Sequence, residues 1–96
     1  MFKLEFQPVF WKCYKQIAGK DNVLKKKIYK TLQTLSLNPR HPSLKTHKVI
    51  TKKYGIKMSS WATGDIRIVW DFDKKAKLMI LVLDIGKHSG KNKIYK

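Results

Sequence analysis

The sequence predicts an α+β fold, with two N-terminal helices packed on a small twisted antiparallel sheet in the order β-α-α-β-β-β, with room for one more strand. Three observations predict it. Apolar residues recur at helical spacing from Phe10 to Leu35, and the period drops to about two after the turn-rich "NPRHPS", Asn38 to Ser43. The later apolar stretches are short, closely spaced and joined by short polar turns, the pattern of an antiparallel meander. The length, 96 residues, is one small domain, 1–96, that can bury a single modest core.

Each element has a local cause. Phe2-Lys3-Leu4-Glu5-Phe6 alternates apolar and polar, so it reads as a half-buried strand. Pro8 suits the first turn of a helix, which carries Phe10, Trp11, Tyr14, Ile17 and Ala18 and stops at Gly19. Asp21 or Asn22 can cap the second helix, Asn22 to about Leu37. Its apolar stripe is Leu24, Ile28, Leu32 and Leu35, with Lys25, Lys26, Lys27 and Lys30 largely off it. "LKTHKVI" reads as an irregular strand, "YGIKMSSWAT" as a weaker one, and Gly64-Asp65 as a turn. In "IRIVWDF", Ile66, Ile68, Trp70 and Phe72 alternate with Arg67, Val69 and Asp71. Leu78 to Ile85 is almost continuously apolar, as expected of a central strand covered on both faces. The helices are expected to cover one face of the sheet and to leave the other more polar.

Charge narrows the function. There are 22 basic and 6 acidic residues, a net charge of +16. That surplus attracts polyanions or acidic proteins. Arg40 and Arg67 are the only arginines. Lysines are point charges that suit a phosphate backbone better than bidentate base reading. The one cysteine, Cys13, excludes an internal disulfide and a cysteine-built zinc site. No signal-peptide pattern is present and the longest apolar run is too short to span a bilayer, so a soluble, cytoplasmic protein with no membrane partner is expected.

The three histidines are His41, His47 and His88. "HPSLKTH" has no standard metal-ligand spacing and no acidic residue beside it, so neither a metal nor another cofactor is expected. Asp71 and Asp73 read as local charge balance, pairing with Lys74 or Lys75. What remains is a basic, histidine-containing set: Lys45, His47 and Lys48 on one strand, Asp65 and Arg67 at the start of another, His88 and Tyr95 beyond the last. RNA cleavage without metal needs such a set. A base takes the 2′-hydroxyl proton, an acid protonates the 5′-oxygen, and cations stabilise the phosphorane. Histidine does either proton transfer near neutrality, and an aromatic ring stacks a base. Each residue also has a plain structural reading: His47 as a polar strand residue, His88 as a surface residue, Arg67 as an outward partner of Asp71, Tyr95 as packing on the sheet. One by one, those readings are the stronger. The residues alone support a small basic α+β domain that binds nucleic acid or an acidic protein.

Beyond that, "LNPRHPSLKTHKV", "TGDIRIVWDFD" and "LVLDIGKHSGKNKIYK" resemble the RelE/ParE superfamily of toxins from two-gene toxin–antitoxin operons. The resemblance covers somewhat over half the chain and is nearest the RelE-like and YafQ-like messenger RNA interferases. It implies a metal-independent endoribonuclease that cuts mRNA on the ribosome by 2′-hydroxyl attack, held in check by an antitoxin that is acidic where it binds. It implies catalytic roles for His47, Asp65, Arg67 and His88, the last as general acid or base. It implies substrate contacts for Lys45, Lys48, Trp61 and Tyr95. Many relatives have arginine where this chain has Trp61. Arg67 with Lys45 or Lys48 would then compensate, or Trp61 would stack on a base. The alternatives are a ParE-like inhibitor of DNA gyrase and a member that binds without catalysing.

Overall fold

The structure is a computed structural model that describes residues 1–87. Pro8 opens helix α1 (Pro8–Ala18), because its fixed φ suits the first helical position and its missing N–H costs nothing there. Gly19 closes α1 at φ 51°, where glycine carries no Cβ penalty, and its N–H donates to the Lys15 carbonyl. Asp21 caps α2 (Asn22–Leu37): its carboxylate accepts from the Leu24 N–H at 3.0 Å. Both helices match the expected spans.

Five strands form one sheet: β1 (Lys3–Phe6), β2 (His47–Thr51), β3 (Gly55–Trp61), β4 (Ile66–Phe72) and β5 (Met79–Lys87), in the spatial order β1-β5-β4-β3-β2. The last four make the expected antiparallel meander. The first strand departs from the expected antiparallel sheet, since β1 pairs in parallel with β5. The helix pair carries the chain from β1 to the far edge, and the meander brings it back to β1 at β5. The sheet is therefore mixed. The strand expected from Leu44 also starts later, because Pro42–Leu44 forms a 3₁₀ turn and Lys45 adopts the left-handed conformation, φ 47° and ψ 42°, before β2 begins.

The core lies between helices and sheet. Phe10, Ile28, Leu32 and Leu35 meet Ile66, Ile68, Trp70, Ile80, Val82 and Ile85 there. Phe2, Phe6, Tyr14 and Phe72 pack against it, and tilted and edge-on rings form two groups, Phe2–Phe72–Trp70 and Phe6–Trp11–Tyr14, with Trp11 at the surface. Trp70 Nε1 donates to Ser60 Oγ at 2.8 Å, and Ser60 Oγ shares a 2.6 Å bond with Thr46 Oγ1. A trench of about 570 Å³ between β1, α1 and α2 stays open, lined by Met1, Leu4, Trp11, Tyr29 and Leu37 among others.

The opposite face of the sheet is less exposed than its sequence suggests. A bulge sets Val69 opposite Asp84 and Trp70 opposite Val82, leaving Leu83 as the extra residue. Asp84 is 3% exposed. Tyr54, from the β2–β3 turn, makes long contacts to Asp84 Oδ2 and the Leu83 carbonyl at 3.4 and 3.5 Å. Burial and the Asp84 charge push the Tyr54 phenol up to about 12 from 10.0. Burial and a hydrogen bond to Asp84 also push up the Cys13 thiol.

The folded state thus holds Tyr54 as the neutral phenol. That contribution is complete below pH 10 and is lost as pH rises toward about 12, because the folded state retains the proton longer. Tyr54→Phe is expected to flatten this alkaline loss, measured as urea midpoint against pH. An unchanged slope would remove Tyr54 as its source.

Candidate functional site

Side chains alternate across a strand, so cross-strand register decides which residues share a face. His47 lies opposite Ser59, Ser59 opposite Val69, and Trp61 opposite Arg67. Lys48 lies opposite Met58, and Met58 opposite Trp70. Trp70 belongs to the helix-covered core, so Lys48 is on that side of the sheet. His47, Trp61 and Arg67 are on the other. The expectation of Lys45, His47 and Lys48 on one strand holds for His47 and Lys48, which point to opposite sides of β2, and is corrected for Lys45, which precedes the strand as the cap of the 3₁₀ turn.

Lys45 joins the His47 side by an unusual route. Its left-handed backbone caps the 3₁₀ turn, and its Nζ lies 4.4 Å from the centre of the Trp61 ring. The Arg67 Cζ lies 4.0 Å from the same centre. Each cation–π contact is worth about 0.5–2 kcal/mol, more where water is excluded. The expectation that Trp61 is free to stack on a base changes accordingly: its ring already engages two cations.

Arg67 is 3% exposed, which corrects the reading of an outward side chain paired with Asp71. Asp71 instead binds Lys57 at 3.1 Å. Asp73 does not pair with a lysine side chain as expected. It accepts from the Lys75 and Ala76 N–H groups, which hold its carboxyl below its usual value. The Arg67 Nη1 donates to the Thr63 and Gly64 carbonyls, both at 2.9 Å. Its Nε is buried and has no hydrogen-bond partner among the described residues. The guanidinium thus fastens the β3–β4 turn and sets a fixed positive charge beneath Trp61. Thr63 Oγ1 accepts from the Asp65 and Ile66 N–H groups in that turn, which presents Asp65 to solvent.

His47 is exposed, and its Nδ1 lies 3.1 Å from the Lys45 carbonyl. A carbonyl only accepts, so Nδ1 carries the proton and Nε2 of the neutral ring keeps its lone pair. His41 is the reverse case. Its Nδ1 accepts from the Ser43 N–H at 3.1 Å, so the proton of the neutral ring is on Nε2. The two rings offer opposite chemistry: His47 can take a proton, and His41 can donate a hydrogen bond.

His88 and Tyr95 lie outside the described residues. Lys45, His47, Trp61 and Arg67 come together. Asp65 stands at the adjoining turn, and Lys48, turned to the other face of β2, lines one open cavity at the β2 edge together with Lys45 and His47. Sequence reading passed over Arg40, His41 and Tyr54. The first two sit in the proline-flanked "NPRHPS", whose basic residues were a visible signal. Among the described residues no three His, Cys, Asp or Glu side chains come close enough to hold a metal ion. Among the described residues no helix is long and apolar enough to cross a membrane.

The strain at Lys45 can be tested. Lys45→Gly removes the Cβ clash of the left-handed backbone and is expected to hold stability level or raise it, by up to about 1 kcal/mol. A clear loss in the urea midpoint would mean that the lysine side chain, through Trp61, stabilises more than its backbone costs.

No family model and no curated protein matches the sequence. Solved structures do. A YoeB/ParE toxin from Agrobacterium tumefaciens superposes with a TM-score of 0.69 at 17% identity, over 92% of this chain and 100% of that one. YafQ from Escherichia coli gives 0.63 at 16%, over 91% and 93%. The YoeB–YefM toxin–antitoxin complex from Staphylococcus aureus gives 0.64 at 21%, over 88% and 93%. The chain has the fold of these toxins: two helices on a five-stranded mixed sheet.

Proposed function

We propose that this chain is the toxin of a toxin–antitoxin pair, an endoribonuclease that cuts mRNA on the ribosome without a metal. The observation that carries this reading is the His47 ring, exposed on a basic face with its free lone pair fixed on Nε2 by the Lys45 carbonyl. His47 Nε2 takes the proton of a ribose 2′-hydroxyl, and the oxygen attacks the adjacent phosphorus. Lys45 faces the phosphate and stabilises the charge of the phosphorane, supported by the buried Arg67 charge below Trp61. Trp61 aligns the two cations. The 5′-oxygen leaves with a proton from the second histidine, His88, while Tyr95 contacts the substrate base. Asp65, at the turn that holds Arg67, completes the electrostatic setting. The fold shared with YafQ and the YoeB toxins supports the toxin role. The YoeB–YefM complex supports an antitoxin partner. The trench along β1 offers such a partner apolar contact, and the +16 charge favours one with an acidic segment.

Induced expression in a bacterium, with mapping of mRNA 5′ ends, tests this. Codon-phased cuts are expected, falling by about 10²–10⁴-fold in His47→Gln, the range for loss of a general base. Growth arrest with intact mRNA and a DNA-damage response would sink the nuclease reading in favour of gyrase inhibition. No arrest would leave a protein that binds without cutting.

A further inference from the structure

The two edges of the sheet are finished differently. At the β1 edge the end of α2 meets the strand: the Phe2 N–H donates to the Ser36 carbonyl at 2.7 Å, and Ser36 Oγ donates to the Phe2 carbonyl at 2.6 Å. The β2 edge has no such cover. Among the described residues the β2 backbone is bonded to β3 alone. Its outward N–H and C=O groups are a ready template for another strand.

The side chains beside this edge have a definite order. On the helix side of the sheet stand Lys48 and Ile50, with Ile56 opposite Ile50. Ile50 and Ile56 are 53% and 65% exposed, an apolar pair that the helices do not cover. On the other side stand His47 and Val49. Lys52 and Lys53 continue the positive charge past the strand, and the sequence holds no carboxylate between Asp21 and Asp65. A second copy of a chain with net charge +16 is repelled here, whereas an acidic strand is attracted.

We propose that β2 is a docking edge for an extended, acidic segment of a protein partner, which adds to the five-stranded sheet as one more strand. Main-chain bonds to β2 hold the segment, and its side chains select it. Side chains of an added strand line up with those of its neighbour, face by face. The segment thus carries an acidic residue beside Lys48 and an apolar one two positions away beside Ile50. On its other face it lies against His47 and covers the ring that takes the proton. The inference rests on the toxin reading for that consequence, inhibition, and not for the docking itself. The edge is separate from the trench along β1, at the opposite side of the sheet.

Binding of a short capped peptide of alternating Glu and Val tests this, together with hydrogen exchange of the β2 amides. Two further peptides carry N-methyl groups on every Glu or on every Val, so the side chains and charge stay constant while one row of N–H donors is lost. One of the two is expected to bind at least about tenfold more weakly than the parent and the other much like it, because only alternate residues of a strand face its neighbour. The parent is expected to slow exchange of the outward amides of β2 and not those of β1. Ile50→Thr keeps the charge and the strand preference; it is expected to weaken the parent peptide by about threefold or more and to leave mRNA cutting unchanged. Equal affinity of all three peptides would overturn the docking edge, since charge alone would then account for binding. So would protection of β2 by single-stranded RNA or by self-association and not by the peptide. In a translating extract the parent peptide is expected to suppress mRNA cutting as its occupancy rises. Full cutting at saturation would overturn the cover over His47. If no mRNA is cut even without peptide, while one N-methylated peptide binds weakly, the toxin reading fails and the docking edge stands. If mRNA is cut and the three peptides bind alike, the edge fails and the toxin reading stands.

Discussion

The bond from Trp70 Nε1 to Ser60 Oγ and the one shared by Ser60 Oγ and Thr46 Oγ1 tie β4, β3 and the segment entering β2 in one line. A buried indole N–H without an acceptor costs about 1–3 kcal/mol, so the line disfavours any other alignment of these strands. A slip of one residue would turn every side chain of β2 to the wrong face. His47 would then lie among apolar core residues and Lys48 beside Trp61. The placement of each candidate residue depends on this register, and the register depends on groups that never touch a substrate.

The charge surplus is sharpened by how the few carboxylates are employed. Asp21 caps a helix, Asp71 pairs with Lys57, Asp73 closes a turn and Asp84 is buried beside Tyr54 and Cys13. Glu5 and Asp65 are the carboxylate residues left exposed among the described residues without such a task. The positive field around His47 is therefore little compensated nearby. Arg67 adds to it from beneath the surface, held by carbonyl dipoles and an indole face rather than by an anion.

Much of this was legible in the sequence, and the limits have physical causes. The helices were readable because caps and a 3.6-residue stripe are local signals. Alternation from Ile66 to Phe72 correctly marked the core face of β4. It could not show that Arg67 and Val69 are buried as well, because Arg67 lies under the Trp61 ring and Tyr54 reaches Asp84, the cross-strand neighbour of Val69, from a distant turn. The parallel pairing of β1 with β5 joins the two ends of the described chain and leaves no trace in local pattern. The start of β2 was misplaced because a left-handed lysine has no compositional mark. For the site, residue types at His47, Lys45 and Arg67 were readable. The histidine tautomers were not, since they follow from backbone geometry.

Cys13 can form no internal disulfide, and its surroundings give it a further use. Its thiol is half-buried on α1, bonded to Asp84 and held in the protonated form. Only the thiolate attacks alkylating reagents, so the native chain reacts slowly at neutral pH. Any motion that lifts α1 from β5 frees the thiol from both burial and the Asp84 charge. The rate of labelling at this single sulfur is then a clock for the opening of α1, read by mass with no engineered probe.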